Sequence, residues 1–259
     1  MSPATIKDWN PGAYGRFRDL RLRPALDLMG AVRSIGGGEV IDLGCGNGAM
    51  GESLKARFVG HRLVGIDGSP AMLDEARESG AYDTLAEADI AAWSTARAGL
   101  IFSNATLHWL KDHEALFPRL ARMLAPGGSL AVQMPHQNNA PSHRVWLSLV
   151  EELFPGRVDT GAGPGVMQPA RYFHLLAGMG AFALWETEYY QVLPADDAAH
   201  PVRKFTESTF ARPILEALDE AEQGRLIRAY EGVMEKAYPR GPDGTVLFPF
   251  RRLFFTLTV

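Results

Sequence analysis

Glu39-Val40-Ile41-Asp42-Leu43-Gly44-Cys45-Gly46-Asn47-Gly48 is the stretch on which the fold turns. Its first half is a short apolar run with β-branched residues, the pattern of a buried strand. Its second half alternates glycine with small residues. Without a Cβ, such glycines let a strand turn sharply into a helix and leave room for a ligand against the backbone. The helix follows at once, because Met50, Leu54 and Phe58 recur every four residues and make an apolar stripe.

The same alternation extends outward in both directions. Leu22, Leu26, Met29 and Val32 give residues 20–32 a helical stripe before Gly36-Gly37-Gly38. Residues 62–66 read as a second strand. Ser69-Pro70 then supplies an N-cap and a first-turn proline for a helix carrying Met72, Leu73 and Ala76. Short strands are predicted near 84–86 and 99–103. A helix over 113–124, a turn at Pro126-Gly127-Gly128 and a strand over 129–134 come next. Strands and helices alternating at this spacing imply right-handed crossovers and a parallel sheet. From 135 to 165 the pattern loosens, with Asn138-Asn139, Pro141 and a Gly-rich run over 161–165. A helix over 169–179 and a strand over 183–193 follow. Residues 194–238 read as mostly helical, broken at Pro201 and Pro213, and 251–259 as a β-rich end suited to pair with 183–193.

Composition narrows the class. A chain of 259 residues with a formal net charge of -4 is no coat for nucleic acid. One cysteine excludes an internal disulfide framework and fits a reducing compartment. No apolar run approaches the roughly 20 residues that span a bilayer, and the first residues lack an apolar signal core. A cytoplasmic protein without membrane or nucleic-acid partners is expected, acting as a monomer. The seven histidines are scattered. No Ser/His/Asp order or His-x-x-His spacing marks a nucleophile or a metal, so none is expected. Cys45 reads as a small buried side chain.

The glycine loop alone is ambiguous, since Gly44-x-Gly46-x-x-Ala49 also satisfies the loose dinucleotide fingerprint. Asp67, ending the second strand, suits either nucleotide because its carboxylate can accept from two ribose hydroxyls. Three features separate the readings. Asp42 stands two residues before the first glycine, where it can anchor an ammonium group and where a pyrophosphate would gain nothing. Ala88-Asp89-Ile90 places an acid after the third strand to meet an adenine amino group. Pro126-Gly127-Gly128 precedes the fifth strand.

In this order the set resembles the class I S-adenosylmethionine-dependent methyltransferases. The resemblance implies an α/β, Rossmann-like fold, with a mostly parallel seven-stranded sheet, helices on both faces and a helical cap. It implies that Asp42, Gly44, Cys45 and Gly46 hold the methionine end of S-adenosylmethionine. Asp67, Gly68, Ser69 and Met72 surround the ribose, Asp89 and Ile90 bracket the adenine, and Asn104-Ala105 lie below the sulfonium, with Tyr14 and Trp109 nearby. S-adenosylhomocysteine is the implied product. One domain over 1–259 is expected: a helical segment at 1–35, a cofactor-binding half at 36–135 and an acceptor-side half at 136–259, with the cap at 194–238.

A narrower resemblance, to the trans-aconitate methyltransferases, runs along nearly the whole chain. It is carried by Asp8-Trp9-Asn10-Pro11, Arg21-Leu22-Arg23-Pro24-Ala25, residues 101–110, Leu116-Phe117-Pro118 and residues 130–135. Tyr189-Tyr190, Ala211-Arg212-Pro213 and Phe250-Arg251-Arg252-Leu253-Phe254 continue it. Asn47, in place of the usual proline, and the segment 157–165 depart from it. The implied acceptor is a small polycarboxylate, trans-aconitate, bound by Arg21, Arg212 and Arg252 with Trp9, Tyr189 and Tyr190. Arginine suits this because its planar fork matches a carboxylate. A carboxylate is ionised at neutral pH, so no general base and no catalytic side chain are expected. Another small polyacid, a carrier-bound malonyl group, a nicotinamide-dependent oxidoreductase and a non-catalytic cofactor-binding module stand as alternatives.

Overall fold

The computed structural model describes residues 18–159, 165–207 and 210–259, with side chains from Leu22 onward. Its strands are β1 (Glu39–Leu43), β2 (Leu63–Asp67), β3 (Thr84–Glu87), β4 (Ala98–Asn104), β5 (Leu124–Pro135), β6 (Ala181–Leu193) and β7 (Val246–Thr258). They form one seven-stranded sheet in the order β3-β2-β1-β4-β5-β7-β6. The first five pair in parallel. β7 runs antiparallel to β5: Gly127 donates to Val259 and His136 donates to Arg251, so the register reverses along the pair. The strand order turns back between β1 and β4, the place where an open α/β sheet leaves a crevice at its carboxyl ends.

The parallel strands read as apolar runs because both faces are covered. Val40, Ile41 and Leu43 of β1 and Leu100, Ile101 and Phe102 of β4 are almost wholly buried. Around them lie α1 (Arg18–Ala31), α2 (Gly51–Arg57), α3 (Pro70–Glu78), α4 (His113–Arg122) and α6 (Pro169–Leu176). Ser69 caps α3 through its hydroxyl, as its sequence predicts. Phe117 of α4 meets Tyr172 of α6 and Phe255 of β7 edge-on, at ring separations of 5.6 and 5.1 Å. Those geometries suit the ring quadrupoles and close this side of the core.

The elements depart from expectation in three places. Pro126-Gly127-Gly128 is no turn between elements but lies inside β5, where Gly127 takes φ 74° and the pairing of β4 with β5 shifts register. Close approach explains the glycines: a Cβ on Gly128 would stand 2.7 Å from Ala125 O, and one on Gly36 2.8 Å from Gly128 N. Within 135–165, read as loose, a helix α5 (Pro141–Leu153) forms with Pro141 at its first turn. A proline that breaks helix interiors starts helices equally well, and Trp146 and Val150 of α5 are buried at helical spacing. Finally, β7 begins at Val246, ahead of the predicted 251.

The chain divides into two compact units. The first gathers the described chain up to Met134 with Gly165–Glu186 and Leu253–Val259; the second gathers Pro135–Pro164 and Thr187–Arg252. The boundary after Met134 falls beside the expected one at 135, and the range 136–259 is shared between the two units. The second unit holds α5, α7 (Pro201–Glu207), α8 (Arg212–Glu216) and α9 (Glu220–Ala237). Among the described residues, no helix is long and apolar enough to cross a membrane.

Candidate functional site

A cavity of about 190 Å³ opens in the first unit beyond the carboxyl ends of β1, β2 and β4. Its wall starts in the glycine loop. Gly44, Gly46 and Gly48 take φ of 81°, 54° and 78°, a region that L side chains rarely enter. A Cβ on Gly44 would fall 2.1 Å from Thr106 Cγ2, so β1 and the turn after β4 come together only over a glycine. Gly46 differs, because a Cβ there would meet nothing within 4 Å. The loop is tied to β2, with Gly44 and Cys45 both donating to Ile66 O, at 2.7 and 3.0 Å.

Two carboxylates flank this loop. Asp67, at the end of β2, accepts from Gly46 N at 2.8 Å through one oxygen and from Ser69 N at 2.9 Å through the other. Asp42, only 3% exposed, accepts the Tyr82 hydroxyl at 2.7 Å. Burial drives the Asp42 carboxyl up to about 7; the Tyr82 hydrogen bond opposes that and the nearby Asp67 charge adds to it. Burial, with help from Asp42 and Asp67, also pushes the Cys45 thiol far up. Cys45 is therefore a neutral, 8% exposed wall residue and no nucleophile.

The floor comes from the end of β4. Asn104 Oδ1 is buried with no hydrogen-bond partner, and Ala105 beside it holds φ 53°. Both features cost free energy in the protein alone, and such costs gather at ligand sites. Arg119 of α4 secures the opposite wall by donating to the carbonyls of Ile90, Ala91 and Trp93. Among the described residues, no His, Lys or Arg lines the cavity.

Of the expected cofactor residues, Asp42, Gly44, Cys45, Gly46, Asp67, Met72, Ile90, Asn104, Ala105 and Trp109 line this cavity together. Gly68, Ser69 and Asp89 do not. The Ser69 hydroxyl serves the α3 cap, and Asp89 is exposed, with its carboxylate on Ala91 N at 2.9 Å. Trp9 and Tyr14 lie outside the described residues, as does the side chain of Arg21. Leu22, Ala25, Asn47, Ala49, Met50 and Thr106 join the wall without having been singled out. Leu22 and Ala25 stand in the Arg21–Ala25 stretch and Thr106 in the 101–110 run of the narrower resemblance, neither of which assigns them to a cofactor wall.

The expected acceptor residues of the second unit differ in setting. Arg252 is 4% exposed, with its guanidinium 4.7 Å over the Phe250 ring. Arg212 pairs with Glu216 four residues on, at 3.1 Å, and is half-buried. Tyr190 is 64% exposed, while Tyr189 is half-buried.

The residues at the cavity fit S-adenosylmethionine on observations independent of any motif. A buried acid faces it, an amide oxygen there lacks a partner, and the Gly46 backbone is bare toward open space. A sheet with β7 inserted antiparallel between β5 and β6, and a glycine loop plus two acids at its switch point, defines a class I methyltransferase.

Comparison with known proteins agrees and goes further. Residues 41–132 match the family model described as a methyltransferase domain. The trans-aconitate 2-methyltransferase of Paracidovorax citrulli is 38% identical, with 96% of this chain and 97% of that protein covered. That of Methylobacterium radiotolerans is 39% identical over the same shares. A solved phosphoethanolamine N-methyltransferase from Haemonchus contortus, in complex with S-adenosyl-L-methionine, has a TM-score of 0.52 at 17% identity, covering 91% of this chain and 52% of that one. The chain belongs to the trans-aconitate 2-methyltransferase family.

Proposed function

We propose that the protein transfers a methyl group from S-adenosylmethionine to one carboxylate of trans-aconitate, yielding the monomethyl ester and S-adenosylhomocysteine. The observation that carries this reading is the cavity at the β1/β4 switch point. It has Asp42 buried on one side, Asp67 beside the glycine loop and the unpartnered Asn104 Oδ1 below. When bound, the cofactor supplies an electrophilic methyl on a sulfonium.

The chain's own residues bind and align. Asp42 accepts the amino group of the cofactor's amino-acid end, and the bare backbone at Gly46 admits that end closely. Asp67, already oriented by two backbone N–H groups, accepts from the ribose hydroxyls. Ile90 and Met72 supply apolar faces for the adenine and ribose. The acceptor carboxylate arrives ionised, so no residue needs to take a proton. What remains is positioning, which supplies about 7–11 kcal/mol in well-aligned reactions. Half-exposed Trp109 adds an aromatic face of the kind that attracts cations.

For the acceptor, Arg252 is the arginine of choice. A guanidinium that is both buried and stacked on Phe250 is rigid before it meets a carboxylate. Arg212, half-buried and paired with Glu216, starts from a weaker position. Arg21, Trp9, Tyr189 and Tyr190 complete the proposed set.

Labelled methyl transfer tests the whole reading. With radiolabelled S-adenosylmethionine and a panel of trans-aconitate, cis-aconitate, citrate, isocitrate and malonyl carrier protein, base-labile label should go preferentially to trans-aconitate. Preferential label on another acid would overturn the substrate, and no label on any acceptor would overturn the activity.

A further inference from the structure

Tyr82 belongs to no motif and lies in the short stretch between α3 and β3, outside the cavity lining. Its ring nevertheless occupies a slot made by three glycines from three places in the fold. A Cβ on Gly51, at the start of α2, would stand 2.6 Å from Tyr82 Cε2. One on Gly65, inside β2, would stand 2.9 Å from Cδ1 and Cε1, and one on Gly48 of the loop 3.1 Å from Cε2. Glycine is disfavoured inside strands, so Gly65 points to a ring that must lie against the backbone. The stretch is pinned as well. Asp83 N donates to Leu63 O at 2.9 Å, Leu63 N donates back to Asp83 Oδ2 at 2.7 Å, and Lys55 pairs with the same carboxylate. The hydroxyl therefore has a fixed position, 2.7 Å from Asp42 Oδ2.

We propose that Tyr82 is a positioning residue of the cofactor site, wedged between glycines so that its hydroxyl holds one oxygen of Asp42 and turns the other to the cofactor's amino group. The inference rests on the reading of Asp42 as the anchor of that group. Among the described residues, the other titratable groups facing Asp42 are Asp67, from the end of β2, and Cys45, from the loop after β1, and both are acids. Asp67 disfavours a second negative charge here, and burial disfavours it more. Tyr82 is the group acting on Asp42 in the opposite direction. Its hydroxyl thus favours the ionised carboxylate, the form that attracts an ammonium.

Calorimetric titration of S-adenosylhomocysteine into wild type and Tyr82→Phe between pH 6.5 and 8.5 tests this. The substitution keeps the ring in its slot and removes only the donor. The quantity to follow is the ratio of the two dissociation constants, in which the ligand's own titration cancels. The variant should bind about tenfold more weakly near neutral pH, and the deficit should shrink as rising pH ionises Asp42 without help. 5′-Methylthioadenosine, which lacks the amino-acid end, should bind both proteins equally and reports that the variant is folded. An equal deficit at every pH, an equal deficit for methylthioadenosine, or no deficit at all would each overturn the role of Tyr82. Wild type failing to bind S-adenosylhomocysteine while binding methylthioadenosine would bring down the Asp42 anchor instead, and this inference with it.

Discussion

Buried polar groups are treated in opposite ways around the Trp146 stack of the second unit and around the cavity of the first. In the second, Trp146 of α5 stacks on Tyr230 of α9 at 3.8 Å and donates its Nε1 to Thr206 Oγ1. Tyr230 donates to Ser142 O, Tyr238 accepts from Ser142 N, and Thr206 donates onward within α7. The hydroxyls and N–H groups named here all meet a partner in the protein. Around the cavity of the first unit, Asn104 Oδ1 meets none, Asp42 is buried against its preference, and Ala105 sits in a left-handed conformation. A network that is complete in itself serves stability. One left incomplete keeps its remaining bonds for a ligand, at some expense to the fold.

Substitutions should therefore separate the two regions by sign. The largest effect is expected from Trp146→Ala, which removes a fully buried ring from the complete network. Urea unfolding should show a loss of about 3–5 kcal/mol, and a loss under 1 kcal/mol would mean that the stack is not a support. Asp42→Asn should do the reverse in the other region. Removing a buried charge should raise stability at pH 8 by up to a few kcal/mol. Binding of S-adenosylhomocysteine should at the same time weaken by about 10- to 150-fold, as expected for one charge-assisted hydrogen bond. Calorimetry and unfolding on the same variant check both halves, and a variant that loses stability and keeps affinity would erase the contrast.

The pH dependence follows from the same carboxyl. Its value in the folded protein is raised from 3.8 to about 7, so the folded state holds a proton through that window that the unfolded state releases. This contribution favours folding below the window and is lost as pH rises through it. Buried His143 and His200, both lowered by burial, slope the other way, since acid must charge them. Unfolding free energies of wild type minus Asp42→Asn, measured from pH 4 to 8, isolate the Asp42 part and should fall with pH; a flat difference would count against it. Thr206→Val, which deprives Trp146 Nε1 of its acceptor, should cost about 1–3 kcal/mol by urea unfolding. The smallest effect is expected at Ala105→Gly, a gain of no more than about 1 kcal/mol from relieving the positive φ. A loss there would show that the conformation is not strained.

The sheet and most of the cavity wall were legible from the chain because each rests on a local rule. The strand–glycine–helix junction at 39–58 and the Ser69-Pro70 helix start are decided by neighbours a few residues apart. What escaped depends on contacts distant in sequence. Pro126-Gly127-Gly128 reads locally as a turn, yet its glycines answer to Gly36 and to Val259 across the sheet. Tyr82 carries no local signal, because its meaning lies in glycines at 48, 51 and 65 and an acid at 42. Motif spacing places Asp89 at the adenine, while its exposed carboxylate accepts from Ala91 N, a local turn contact that the spacing does not show. Pro141 reads locally as part of a loosened stretch, because a proline alone does not tell the start of a helix from its end.

The strand order has a consequence for synthesis. β6 lies at the sheet's edge, and its neighbour there is β7, which begins at Val246, long after β6 ends at Leu193. At translation rates of about 5–20 residues per second, the ribosome takes several seconds to supply that neighbour. During this interval β5 is an unpaired edge and β6, with Phe182, Leu184 and Trp185, has no strand to join, the kind of surface that seeds pairing between chains. The aromatic contacts of β7 with β6, Trp185 on Phe254 at 5.1 Å and Phe182 on Phe255 at 5.8 Å, then act as a late clasp that withdraws this edge from aggregation.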